Sequence, residues 1–201
     1  NKALKEVKPS TIFIIATPPK AHFVQTAKIL KSGHNVFVEK PIVTNLNDAK
    51  KLSNLLRSSK YHVTEILMYK YSKLYERFLT YWNKKRHKIL HINCIFYIPA
   101  LPANTFRDNK NVSDSILYDI GCYLVSLFVD LNLEFKSYSF KNVIFEEGRL
   151  KSLEFNIKNN NVTFNGKFGL DKNYENSITL FKKDSKIKFS PFFYGAKSKK
   201  N

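Results

Sequence analysis

Apolar residues in the first third of the chain switch between unbroken runs and helical spacing. Thr11–Thr17 (TIFIIAT) is a continuous, β-branched run. Continuous apolarity predicts a strand buried on both faces of a parallel sheet. Pro18 and Pro19 end it. Between Ala21 and Lys31, the residues Phe23, Val24, Ala27, Ile29 and Leu30 recur at helical spacing, and Gly33 supplies the stop. Asn35–Val38 predicts a second strand. Asn45 or Asn47 caps a helix running through Arg57, with Ala49, Leu52, Leu55 and Leu56 on its inner face. His62–Leu67 predicts a third strand. Ahead of these, Lys2–Lys8 reads as the end of a polar helix stopped by Pro9. Strands and helices alternating over short connections predict right-handed crossovers and a parallel sheet, half of a doubly wound α/β fold.

After Met68 the pattern changes. Tyr71–Asn83 (YSKLYERFLTYWN) is helical and rich in aromatics, and Leu90–Ile98 alternates like a strand. Pro99–Val112 is polar and reads as a loop. Ile116–Leu131 predicts an apolar helix. From Lys136 onward, Ser137–Phe145, Ser152–Ile157, Asn161–Phe168, Ser177–Phe181 and Lys186–Phe189 predict antiparallel strands. Glu147-Gly148, Asn159-Asn160 and Asp171-Lys172-Asn173 separate them. The expected architecture is α/β followed by an α+β domain with a mainly antiparallel sheet. The boundary falls near residue 68, giving segments 1–68 and 69–201. No internal repeat is visible.

Composition narrows the function classes. The 43% hydrophobic content of the 201 residues is ample for a core. No apolar run approaches the ~20 residues that span a bilayer. The N-terminus carries neither a signal-peptide pattern nor a methionine, so Asn1 is not expected to be the natural start. Cys94 and Cys122 sit in apolar surroundings without metal-ligand spacing. They are expected to be buried thiols in a reducing, cytoplasmic setting. The formal charge of +18 raises nucleic acid as a partner. Only five of the basic residues are arginine, the side chain that reads phosphates and bases bidentately. The lysines are scattered, which favours a solvated surface over a nucleic-acid or membrane face.

Three clusters carry candidate chemistry. In Ala16-Thr17-Pro18-Pro19-Lys20-Ala21-His22, a strand ends beside a helix start and exposes backbone groups, with His22 in the first helical turn. Taken alone, the cluster reads more simply as a plain strand-to-helix connection with His22 on the surface. In Val36–Pro41, an apolar strand delivers Glu39 and Lys40 to its C-terminal tip, the edge where open α/β sheets bind ligands. A surface ion pair is the alternative, worth little energetically. In Ser115–Tyr123, Asp119 and Tyr123 are four residues apart and would share one face of a helix. A dipole-favoured Asp with Tyr123 packed in the core is the alternative there.

Together the segments ATPPKAH, SGHNVFVEKP, TEILMYKY and DSILYDIGCY resemble the Gfo/Idh/MocA oxidoreductases, in order and spacing, across residues 11 to about 130. The later strands fit that family's C-terminal sheet loosely. The resemblance implies the C-terminal half of a Rossmann-type parallel sheet, with segment 1–68 a partial dinucleotide-binding domain. Segment 69–201 would serve substrate binding and oligomerisation. It also implies an enzyme using NAD or NADP to move a hydride to or from a hydroxyl-bearing carbon of a sugar, cyclitol or related diol, commonly as a homo-oligomer. Lys40 matches the family's catalytic lysine. Tyr123 stands where many members carry histidine and glucose–fructose oxidoreductase-like members carry tyrosine; it would be the general acid/base. Asp119 would bind a substrate hydroxyl or set the Lys40–Tyr123 geometry. Thr17, Pro18, His22, Glu39 and Lys40 would line the nicotinamide and ribose side of the cofactor. The sequence departs from the family in lacking the GxGxxG turn and its following acidic residue. That suggests N-terminal truncation, or a non-catalytic scaffold relative. Ser113-Asp114-Ser115 also replaces the glycines that often precede the helix.

Overall fold

The computed structural model describes residues 7–8, 11–100, 115–170 and 172–193. The polar stretch Lys2–Lys8 and the loop Pro99–Val112 expected from the sequence fall largely outside these residues. The described chain divides into two compact units, one ending at Leu67 and the other beginning at Met68.

The first unit is a three-stranded parallel sheet with two crossover helices. Strand β1 (Ile12–Ile15) leads through α1 (Pro19–Lys31) to β2 (Asn35–Glu39), then through α2 (Leu46–Arg57) to β3 (Val63–Ile66). The strand order is β1-β2-β3, with Ile14 opposite Phe37 and Val38 opposite Glu65. Ile15, Ile29, Val36 and Val38 form the core, flanked by Phe13, Ile42 and Val63. The expectation that β1 is buried on both faces is corrected. Ile12 and Ile14 are 53% and 73% exposed, and Phe37 beside them is also exposed. The reason is topological. A strand row that advances in one direction with right-handed crossovers puts both helices on one face. The opposite face is left uncovered by the described residues of this unit.

Local signals fix the helix ends. Asn45, one of two expected caps, accepts the Asp48 N–H at 2.9 Å. Gly33 has φ +86°, and His34 N–H reaches back to the Ile29 carbonyl while Gly33 N–H reaches Leu30. This is a Schellman closure, which needs the left-handed residue that glycine supplies. Of the expected inner face of α2, Leu52 is buried and Ala49, Leu55 and Leu56 are half-buried.

The second unit opens with a 3₁₀ turn (Met68–Tyr71) and α3 (Lys73–Lys85), capped by Ser72 Oγ on Tyr75 N–H. Then come β4 (His91–Tyr97), a π-helical turn (Leu117–Gly121), α4 (Cys122–Asp130) and strands β5 (Ser137–Glu146), β6 (Arg149–Lys158), β7 (Thr163–Gly169), β8 (Glu175–Phe181) and β9 (Lys186–Phe189). They form one sheet, ordered β5-β6-β7-β4-β8-β9. Every pairing is antiparallel except β4 with β7, which is parallel. Glu147 and Gly148 both take positive φ, the geometry a two-residue hairpin loop requires. The uniform helix expected over Ile116–Leu131 is corrected: its first turn is π, and only Cys122–Asp130 is α.

Alternation along β4 sends Ile92, Cys94 and Phe96 inward, each essentially fully buried. They join Phe78 and Trp82 of α3, Leu124 and Leu127 of α4, and Phe192 and Phe193 near the end of the described chain. Phe96 and Phe193 stack at 5.3 Å, and Phe78 meets Phe192 edge-on at 5.1 Å. Asn176 of β8 ties that segment down. Buried itself, it accepts the N–H groups of Phe192 at 3.0 Å and Phe193 at 2.8 Å through Oδ1. Asn176→Ala removes these acceptors and is expected to destabilise the chain by about 1–3 kcal/mol. Asn176→Asp, which keeps the oxygen, should lose less. Urea unfolding midpoints of the two variants check this, and equal midpoints would refute it.

Candidate active site

In the first unit, the C-terminal tips of β1 and β2 lie side by side because the strands are parallel and in register. Thr17 and Pro18 follow β1 and are exposed. Glu39 closes β2, and Lys40 follows it; both are half-buried. The next peptide bond, Lys40–Pro41, is cis, and Pro41 is buried.

His22 is not the surface histidine that one reading of the sequence allowed. It is 1% exposed, in the first turn of α1. Its Nδ1 lies 2.8 Å from the Pro41 carbonyl oxygen and its Nε2 2.6 Å from that of Thr17. Carbonyl oxygens only accept, so the tautomer decides which contact carries the ring N–H. Both ring nitrogens thus face main chain, one at each strand tip. Thr17 Oγ1 donates to Gln25 Oε1 at 2.8 Å, folding the exposed tip back on α1.

Sequence reasoning passed over Glu65. It sits in β3 beside Val38, and its Oε1 accepts the Ile42 N–H at 2.8 Å. A carboxylate within a strand of half-buried residues was the available signal. Glu65 lies inside the TEILMYKY segment, yet no partner for it is legible in one dimension.

In the second unit, Asp119 lies in the π turn and Tyr123 in the first turn of α4. The four-residue offset between them spans the change from π to α geometry, so uniform α spacing does not describe the pair. Gly121 sits between them because a side chain there would press on the Phe168 ring, about 3.0 Å from a Cβ. Tyr123 is 5% exposed, with its ring against Tyr69, Phe96 and Phe193 at 5.6–5.8 Å. Lys40 therefore belongs to one unit, and Asp119 and Tyr123 to the other.

A second polar cluster, centred on Asp130 at the end of α4, was also missed. Tyr75 donates to its Oδ2 at 2.6 Å, Lys70 pairs with Oδ1 at 2.8 Å, and Tyr69 donates to Ser126 Oγ at 3.2 Å beside it. Burial pushes the Tyr69 phenol well above its ordinary value, and the nearby Asp130 charge adds to this. Burial raises Tyr75 too, helped by its hydrogen bond to Asp130. Cys94 is fully buried, which raises its thiol; Cys122 is half-buried. His91 is lowered by burial.

The sign of the tyrosine effect is fixed. The folded chain keeps two protons that the unfolded chain releases near pH ~10. This stability is fully present below that pH and is lost as pH rises beyond it. Tyr75→Phe is expected to make the fall in unfolding free energy above about pH 10 shallower. Urea titrations from pH 8 to pH 11 test this; parallel slopes in the two proteins would refute it.

Residues 2–66 match the family model described as an oxidoreductase family with an NAD-binding Rossmann fold. No curated protein matches the chain. Among solved structures, myo-inositol 2-dehydrogenase from Lactobacillus plantarum superposes with a TM-score of 0.78 at 15% identity, covering 93% of this chain and 59% of that one. The WlbA dehydrogenase from Bordetella pertussis, solved with NADH and UDP-GlcNAcA, gives 0.78 at 14%, covering 93% and 57%. The 3-ketoreductase KijD10 from Actinomadura kijaniata, solved with NADP and TDP-benzene, gives 0.72 at 19%, covering 94% and 67%. This chain spans about three fifths of the length of the two dehydrogenases. At these identities the likeness is one of fold. Among the described residues, no helix is long and apolar enough to cross a membrane. Over residues 2–66 the chain is thus similar to the NAD-binding Rossmann fold of the Gfo/Idh/MocA oxidoreductase family.

Proposed function

We propose that the chain works as an NAD(P)-dependent oxidoreductase acting on a hydroxyl-bearing carbon of a sugar or cyclitol. Residues 1–68 would carry the cofactor side and residues 69–201 the substrate and oligomerisation side. The observation that carries the proposal is Lys40. It stands at the C-terminal edge of a parallel sheet, just before a peptide held by two side chains, within the segment that matches the NAD-binding family model. Ligands of open α/β sheets bind at that edge. The bound NADH and NADP of the WlbA and KijD10 structures, and the sugar nucleotide in the former, support this chemistry.

The residues present fit the nicotinamide end of such a cofactor. Thr17 and Pro18 are exposed at the β1 tip, and Glu39 and Lys40 are half-buried at the β2 tip beside it. No GxGxxG turn for the pyrophosphate occurs in this sequence. When bound, the nicotinamide would accept or deliver the hydride. The Lys40 ammonium would orient the substrate hydroxyl and stabilise charge developing on its oxygen. The Tyr123 phenol would take or return the hydroxyl proton, and Asp119 would hold a neighbouring hydroxyl. The aromatic packing of Tyr123 excludes water from its ring. Exposed apolar residues of β5, including Tyr138, Phe140 and Phe145, offer a face for a second copy of the chain.

One alternative is a scaffold that keeps the fold without turnover. Fluorescence titration with NADH and NADPH, followed by turnover on a panel of cyclitols and sugars, separates the two. Lys40→Met and Tyr123→Phe are each expected to cut turnover by about 10²–10⁴-fold while nucleotide affinity survives. Undiminished turnover in either variant removes that residue from its role. Nucleotide binding without turnover in the unaltered chain favours the scaffold.

A further inference from the structure

The Pro41–Ile42 peptide unit is held at both of its polar ends by side chains. Its carbonyl oxygen faces His22 Nδ1 at 2.8 Å, and its N–H donates to Glu65 Oε1 at 2.8 Å. The peptide lies outside every helix and strand, so no ladder asks for either contact. A peptide plane has one donor and one acceptor. Once both are fixed from opposite sides, by α1 and by β3, the plane cannot rotate without breaking a buried or half-buried hydrogen bond. The proline ring already fixes φ at Pro41. Fixing the following plane sets ψ there as well, so both backbone torsions just after Lys40 are determined. The lock uses the tautomer with the proton on Nδ1, which donates to the Pro41 carbonyl; Nε2 then lies 2.6 Å from the Thr17 carbonyl as a packing contact.

We propose that His22 and Glu65 are positioning residues: together they lock the peptide after Lys40–Pro41, and His22 makes no cofactor contact of its own. The link from this lock to catalysis rests on Lys40 acting as proposed above. The lock itself is independent of that assignment. Side-chain chemistry agrees with it. His22 is buried with both nitrogens directed at main chain, so the ring offers a ligand no polar atom.

Amide hydrogen exchange on the 201-residue chain, without any ligand, tests the lock. The Ile42 amide should exchange slowly in the unaltered chain although it lies in a loop; exchange at the unprotected rate overturns the proposal. Glu65→Ala should speed that exchange about tenfold or more, whereas Glu65→Gln, which keeps an acceptor oxygen at the same reach, should leave it protected. Unchanged exchange in Glu65→Ala overturns the proposal, and the unaltered chain still decides the matter if that variant fails to fold. A nucleotide titration then separates positioning from contact. His22→Ala should leave the dissociation constant for NADH or NADPH within about twofold while kcat falls. Affinity weakened tenfold with Ile42 protection intact would make His22 a direct cofactor contact and overturn its half of the proposal. If no variant and no unaltered chain binds nucleotide, the oxidoreductase assignment fails, while the exchange data still decide the lock.

Discussion

Parallel pairing of β1, β2 and β3 is the constraint on which the candidate site depends. A parallel ladder sends every strand in the same direction, so their C-terminal tips gather at one edge. Each tip must then turn into a crossover, and each turn leaves backbone groups that no ladder satisfies. At the β2 tip those groups are claimed by His22 and Glu65. The polar groups of a loop thereby become the means of holding Lys40 on a rigid frame. Where the described residues of the first unit supply no covering element, Ile12, Ile14 and Phe37 are exposed. The one-directional strand order accounts for that exposure as directly as it accounts for the gathered tips.

The second unit is organised by a different force. It is built around an aromatic cluster in which Tyr69 touches Tyr75, Tyr123, Phe192 and Phe193 at 5.1–5.8 Å. Such rings bury large areas and prefer edge-on contacts. The chain segment carrying Phe192 and Phe193 has no secondary structure of its own to hold it there. Asn176 supplies the hydrogen bonds a ladder would otherwise give. β5 is the exception to this burial. All ten of its residues are exposed, with Asn142 at positive φ where its register against β6 shifts. Such an irregularity twists an edge strand away from further pairing.

Much of this was legible in one dimension, and what was not follows a pattern. Periods and punctuation are local, so the three parallel strands, the Asn45 cap, the Gly33 stop and the Glu147-Gly148 hairpin could be read from a few neighbouring residues. Burial of a whole sheet face is not local. The TIFIIAT run looks the same whether helices cover one side or both, and strand order decided it. The parallel pairing of β4 with β7 brings together segments about 70 residues apart and leaves no signature in either. The partners of His22 and Glu65 lie 19 and 23 positions away, and both involve backbone atoms, which every residue possesses. Sequence flags the side chain in such a contact but never its partner. The π turn at Leu117–Gly121 is likewise invisible to a hydrophobic pattern that fits α spacing nearly as well.

Two buried tyrosines of the second unit share one carboxylate. Tyr69 and Tyr75 lie against the carboxylate of Asp130, and burial and that negative charge act in the same direction. Both favour the neutral phenol, so these two are suited to donating hydrogen bonds and unsuited to releasing a proton near neutrality. Lys70, paired with the same carboxylate at 2.8 Å, is spent on compensating the charge. A phenol that is to exchange a proton needs a cation close by and a carboxylate kept away. Asp130 is satisfied at both oxygens by Tyr75, Lys70 and, at longer range, Tyr69, so its charge is committed one helical stretch beyond Tyr123.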